Sequence, residues 1–216
     1  MELNNQNGIL SGLEMMGDNI RNKLQFCGKS VYFYPLCKMI RAENAKVDDF
    51  TRILDYSYID AGESLIIGKH SMIAWQTIIE GGGKTRIGDR VFVGPGTKIL
   101  TSTYEFEGLY AAEFIPEECR AFRYGNIVIG DDAYIGSNCV VMPGTHIGEG
   151  AVVGANSLVT KDLKPWTIYV GSPCKELKKR SKPSDDIRKK LFNKVDWSNH
   201  LEFDICFFKI NIFICY

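Results

Sequence analysis

The sequence predicts an all-β chain wound into a coiling β-helix, with one short strand and one tight bend to each six residues. Three observations predict it. Ile129, Ile135, Val141, Ile147, Val153 and Val159 recur every six residues. Glycine follows the anchor at Gly130, Gly136, Gly148 and Gly154. Four places after the anchor the residue is small, at Ala133, Cys139, Thr145, Ala151 and Ser157. An α-helix repeats every ~3.6 residues and a flat strand every two, so neither carries this period.

Taken in order, residues 1–28 place Ile9, Leu10, Leu13, Met16, Ile20 and Leu24 at helical spacing, which predicts a short amphipathic helix. The repeat is expected over residues 29–164. Phe33 is its first anchor, followed by Val47, Ile53 and Ile59, and then by Ile67, Ile73 and Ile79. Gly81, Gly82 and Gly83 slip the frame by two, and it resumes at Ile87, Val93 and Ile99. A hexad buries little on its own, so stacked neighbours must supply the interior. Residues 104–126 leave the frame as a long loop rich in aromatic and acidic groups, and such loops are usually functional. Pro165 breaks the repeat, and residues 165–216 are expected to hold a turn, a helix over residues 183–200 and an apolar tail from Ile205.

Composition narrows the function. Lys plus Arg equals Asp plus Glu at 26 each, so no global field draws nucleic acid or anionic membrane. The seven cysteines include no CxxC, which reads as free thiols and a cytoplasmic protein. No apolar run approaches the roughly 20 residues that span a bilayer, and the tail reads as packing against a neighbour. No His, Cys or Asp cluster has metal spacing.

The stretch VVGANSLVTKDLKPWTIYVGSPCKELKKR (152–180) resembles the ending of the hexapeptide-repeat acyltransferases, with Cys174 where that family has Ala. The segments IIGKHSMIAW (66–75) and STYEFEG (102–108), the three glycines at 81–83 and a loop containing FIPEECRAF resemble the sugar N- and O-acetyltransferases of surface-polysaccharide pathways. The resemblance implies a left-handed parallel β-helix and a homotrimer with acetyl-CoA held between subunits. It implies as acceptor an amino-dideoxy sugar carried on a nucleotide.

Acetyl transfer needs a neutral nucleophile, a proton acceptor and donors for the oxyanion. His70 stands where the resemblance puts a catalytic or substrate-contacting His; the competing reading is a hydrogen-bonded rung histidine. His146 reads as a surface rung residue, and His200 is assigned nothing. O-acetyltransferases of this fold carry their His after the rung that corresponds to Ile99, where this chain has Tyr104 and Glu105. The nearer subgroup has paired acids there. Glu105 therefore matches one of them, as a substrate or proton-accepting carboxylate, with a solvated loop acid as the competing reading, and Tyr104 replaces the other as a substrate contact. The missing His favours N-acetylation, with O-acetylation as the alternative. Gly82 and Gly83 suit a bend that a substrate or a neighbouring chain approaches; the phosphate-loop spacing is absent.

For acetyl-CoA, the extended pantetheine arm suits exposed backbone near Gly136, Gly154 and Ala155. Its phosphates suit the cations beyond the repeat, Lys161, Lys175, Lys179 and Arg180. Trp166 either lies over the ligand or caps the open coil. A scaffold, or a metal enzyme needing three histidines at an interface, is disfavoured by the terminal segment and by the two histidines in the repeat.

Overall fold

The structure is a computed structural model and describes residue 17 and residues 19–194. Six coils stack along the chain. The first is β1 (Phe26–Cys27), β2 (Tyr32–Phe33) and β3 (Lys38–Ile40). The second is β4 (Ala45–Val47), β5 (Arg52–Ile53) and β6 (Tyr58–Asp60). The third is β7 (Ser64–Ile67), β8 (Met72–Ile73) and β9 (Ile78–Glu80). The fourth is β10 (Lys84–Ile87), β11 (Phe92–Val93) and β12 (Lys98–Leu100). A hairpin of β13 (Ser102–Tyr104) and β14 (Phe122–Tyr124) then carries the loop away from the coil. The fifth coil is β15 (Ile127–Ile129), β16 (Tyr134–Ile135) and β17 (Val140–Val141). The sixth is β18 (His146–Ile147), β19 (Val152–Val153) and β20 (Leu158–Val159).

Corresponding strands pair in parallel, giving three faces. β21 (Thr167–Val170) extends the second face, and β22 (Lys175–Lys179) closes it in antiparallel fashion. Every anchor of the sequence frame points inward: Val47, Ile53, Ile67, Ile73, Val93, Ile99, Ile135, Val141, Ile147, Val153 and Val159 are wholly buried. β-Branched side chains suit this packing, because they fill a pleated surface with little rotamer loss.

The small residue four places on has a second job. Thr51 Oγ1 donates to the Gly68 carbonyl at 2.8 Å, Ser71 Oγ to Gly88 at 2.8 Å, and Thr97 Oγ1 to Gly136 at 2.9 Å. Each hydroxyl thus satisfies a carbonyl of the next coil at a bend where the strand ladder has stopped.

The frame slip expected at Gly81–Gly83 is not peculiar to those glycines. Val47, Ile67 and Ile87 pair in register, so the early coils are 20 residues long, whereas Ile129 and Ile147 mark a coil of 18. The two extra residues always fall on the edge between the third face and the first, and the long loop leaves from that same edge.

Two further differences concern the ends. The described helical residues are 17 and 19–21, and β1 lies within the segment expected to be helical, since Phe26 and Cys27 pair with Lys46 and Val47. The expected Ile9, Leu10, Leu13 and Met16 lie outside the described residues, as do His200 and the apolar tail. The chain divides after Arg180 into two compact units. The second contains α1 (Asp185–Lys194), whose first turn is acidic and whose Ile187 amide donates to Ser184 Oγ at 3.4 Å, a capping arrangement. The rest of the helix expected to residue 200 is beyond the described residues.

Candidate functional site

The edge between the first and second faces carries one residue per coil in the left-handed backbone region, Ser30, Phe50, His70, Arg90, Asp132 and Gly150, and Trp166 continues the series after the sixth coil, with φ between 51° and 63° throughout. Left-handed residues turn the chain sharply, so their side chains stack in a column. The rings of Phe50 and His70 lie parallel, 5.0 Å apart and within 4° of coplanar. His70 is half-buried and its amide donates to the Asp49 carbonyl at 3.0 Å. Below it, Arg90 Nε and Nη2 donate to both oxygens of Asp132 at 2.7 and 3.1 Å, which pushes the Arg90 pKa up.

Beside this column runs a ladder of aspartates. Asp49 accepts the Lys29 amide at 2.8 Å, Asp89 the Lys69 amide at 2.9 Å and Asp131 the Asp89 amide at 3.0 Å. The Asp49 pKa is lowered, first by its bond from the Lys29 amide and then by Lys69, 3.4 Å away. The ladder pairs backbone donors that a sharp turn leaves open.

The wide edge holds Tyr104, Glu105, Gly82 and Gly83. Tyr104 packs on Phe122 with centroids 4.6 Å apart, and Phe122 leads on to Tyr124 at 6.2 Å. Glu105 is half-exposed; its amide donates to the Ala121 carbonyl at 2.9 Å and its Oε1 accepts the Phe106 amide at 3.1 Å. The remaining carboxylate oxygen has no protein donor among the described residues. Gly83 is buried, donating its amide to Thr101 Oγ1 at 2.9 Å. Gly82 is open: a side chain there would meet nothing nearer than the Arg41 guanidinium at 3.7 Å and the Tyr124 ring at 3.9 Å. Asp60 holds Arg41 in a two-toothed ion pair beside that gap.

The residues proposed for the CoA arm divide between edges. Gly136, Gly154 and Ala155 occupy the edge between the second and third faces. A Cβ on Gly136 would lie 2.5 Å from the Ala155 amide, and one on Gly154 would lie 2.8 Å from Val170 Cγ1. The close neighbour these glycines admit is therefore the adjoining coil. Trp166 is 7% exposed and covers Gly150 at the end of the first edge. Arg180 stacks over its ring at 5.4 Å and donates from Nη1 to the Asp132 and Gly150 carbonyls, both at 2.9 Å. Lys179 donates to Thr167 Oγ1 at 3.1 Å and pairs with Glu176 at 3.2 Å. Lys161 and Lys175 are exposed and form no ion pair among the described residues.

The structure therefore groups Tyr104, Glu105, Gly82 and Gly83 on one edge and sets His70 on another. Sequence reasoning missed Arg41, Asp60, Arg90 and Asp132. Their signal was present for the column: Phe50, His70, Arg90, Asp132, Gly150 and Trp166 each stand three places after a first-face residue. Among the described residues no group of three His, Cys, Asp or Glu side chains is placed to hold a metal, and no helix is long and apolar enough to cross a membrane.

Residues 126–161 match the bacterial transferase hexapeptide (six repeats) family. The chain is 30% identical over 175 residues to dTDP-4-amino-4,6-dideoxy-D-glucose acyltransferase of Escherichia coli, covering 79% of this chain and 84% of that one. It is 57% identical over 58 residues to a chloramphenicol acetyltransferase of Klebsiella aerogenes, where the match spans 28% of that protein's length. Its fold is like that of AntD, an N-acyltransferase from Bacillus cereus solved with dTDP and 3-hydroxybutyryl-CoA, with a TM-score of 0.75 at 24% identity over 81% of this chain and 93% of that one. With its anchors buried in six stacked coils and a relative 30% identical over 84% of that protein's length, this chain belongs to the hexapeptide-repeat acyltransferase family.

Proposed function

We propose that the protein is an acetyl-CoA-dependent N-acetyltransferase acting on a nucleotide-linked amino-dideoxy sugar for surface-polysaccharide biosynthesis. The observation that carries the reading is Glu105: a half-exposed carboxylate at the root of the loop, with one oxygen spoken for by a local amide and the other open. A neutral amine attacks the thioester carbonyl carbon, forming the C–N bond as the C–S bond breaks. Glu105 takes the proton the nitrogen sheds, and CoA leaves as its thiolate. The E. coli relative, matched over most of its length, bears the name of an acyltransferase for a nucleotide-linked amino sugar, which supports the same acceptor class.

Tyr104 and Gly82 then line the acceptor, and the gap between Arg41 and Tyr124 gives it room. Lys161 and Lys175 are the cations left for the phosphates of CoA, while Arg180, Lys179 and Trp166 hold the end of the coil. A homotrimer with its sites between subunits would join His70 to Glu105 by bringing the first edge of one copy against the wide edge of the next. The fit with CoA is one of donors: two unpaired lysines, and backbone at the last coils.

The test is acceptor-dependent release of free thiol from acetyl-CoA. Turnover with a dTDP-linked 4-amino-4,6-dideoxy sugar and none with its hydroxyl counterpart is expected. Turnover with hydroxyl acceptors alone would make the protein an O-acetyltransferase, and no thiol release with either would sink the reading.

A further inference from the structure

A hollow of about 250 Å3 lies on the outer side of the first face, away from the wide edge. Its floor follows from strand register. Phe26 pairs with Lys46, Lys46 with Ile66 and Ile66 with Arg86, so these four side chains point outward in one column. The order is aromatic, cation, apolar, cation. Lys46 and Arg86 stand two strands apart, roughly 10 Å between Cα atoms, close enough for both long side chains to reach one group above Ile66.

The charges around the hollow divide into two sets. Asp48 accepts the Asp49 amide at 2.8 Å and lies 4.0 Å from Lys69. Asp89 and Asp131 each accept an amide of the aspartate ladder and lie 3.8 and 4.0 Å from Arg90. These rim carboxylates are thus compensated. Lys46 and Arg86 form no ion pair among the described residues, although both are exposed and carboxylates line the same hollow. Phe26 is 49% exposed at one end.

We propose that this hollow, which borders the His70 edge and lies apart from Glu105 and the wide edge, binds a hexose phosphate. The two unpaired cations hold the phosphate by charge-assisted hydrogen bonds. The rim carboxylates accept hydrogen bonds from sugar hydroxyls, and the Phe26 ring covers the apolar C–H face of the pyranose. Size supports the choice. The volume is below the roughly 300–1,000 Å3 of pockets that take drug-sized ligands, which leaves out a whole nucleotide sugar and suits one ring with one phosphate.

Titration calorimetry of the full chain with glucose 1-phosphate, glucose and inorganic phosphate tests this. Glucose 1-phosphate is expected to bind about tenfold or more tightly than inorganic phosphate, with affinity falling as salt rises. Replacing Lys46→Gln and Arg86→Gln together is expected to abolish that binding, and Phe26→Ala to weaken glucose 1-phosphate but not inorganic phosphate. Acetyl-CoA consumption with the amino-sugar acceptor is expected to persist in the double variant, so the two readings fail separately. Hydrogen exchange on the unaltered chain gives a readout free of folding effects: glucose 1-phosphate should protect residues 64–67 and 84–87. Equal affinity for sugar phosphate and inorganic phosphate overturns the proposal, as does undiminished binding in a folded double variant or protection elsewhere only.

Discussion

His70 has a left-handed backbone that few residue types accept, with φ at 56°, and a ring stacked on Phe50. Its backbone and its imidazole are separable by substitution. Asn tolerates the left-handed region better than most residues, so His70→Asn keeps the turn and removes the base. If His70 takes part in transfer, turnover falls by about a hundredfold, in the range of a lost general base, while CoA affinity measured by titration is unchanged. Unchanged turnover would leave the ring as a packing partner of Phe50. Glu105 is different in kind: it follows the last paired residue of β13, is half-exposed, and one of its carboxylate oxygens has no protein donor among the described residues.

At the scale of the element, the turn column is the organising unit. Each coil crosses the first edge through one left-handed residue, and the column ends in Trp166 laid over Gly150. Gly150 answers two constraints, a φ of 63° and ring atoms 2.5–2.6 Å from where a Cβ would sit. Gly150→Ala is therefore expected to destabilise the fold by about 1–3 kcal/mol through backbone strain and displacement of the cap. Chemical denaturation measures it, with Gly108→Ala as comparison: there φ is 72° and nothing lies within 4 Å, so only the backbone cost applies. Equal losses at the two sites would mean that Trp166 does not depend on Gly150 for its seat. Arg180 belongs to this element as well, since its carbonyl bonds tie β22 back to the fifth and sixth coils.

At the scale of the molecule, His70 and Glu105 stand on different edges of the coil stack, and the proposed trimer is what would bring them to one substrate. Light scattering on the purified chain should give about three times the 24.3 kDa mass of one chain. A stable monomer active in acyl transfer would remove His70 from the site that contains Glu105. Much of the architecture was legible beforehand. The inward anchors and the small bend residues follow a local period, the excursion at 104–126 shows as its interruption, and the structure buries the anchors accordingly. The candidate site was legible only in pieces: Tyr104, Glu105 and Gly82 do share an edge, but Arg41 and Asp60 carried no mark in a one-dimensional pattern. The sequence by itself determined that the chain coils, because burying every sixth residue is a requirement each hexad states locally. The tertiary structure decided which residues of different coils become neighbours, because that depends on coil length. Arg90 meets Asp132 across 42 residues only because the loop returns the chain to the same edge in register. Similarly, Lys46 and Arg86 come to flank Ile66 only because two coils of 20 residues stack without drift.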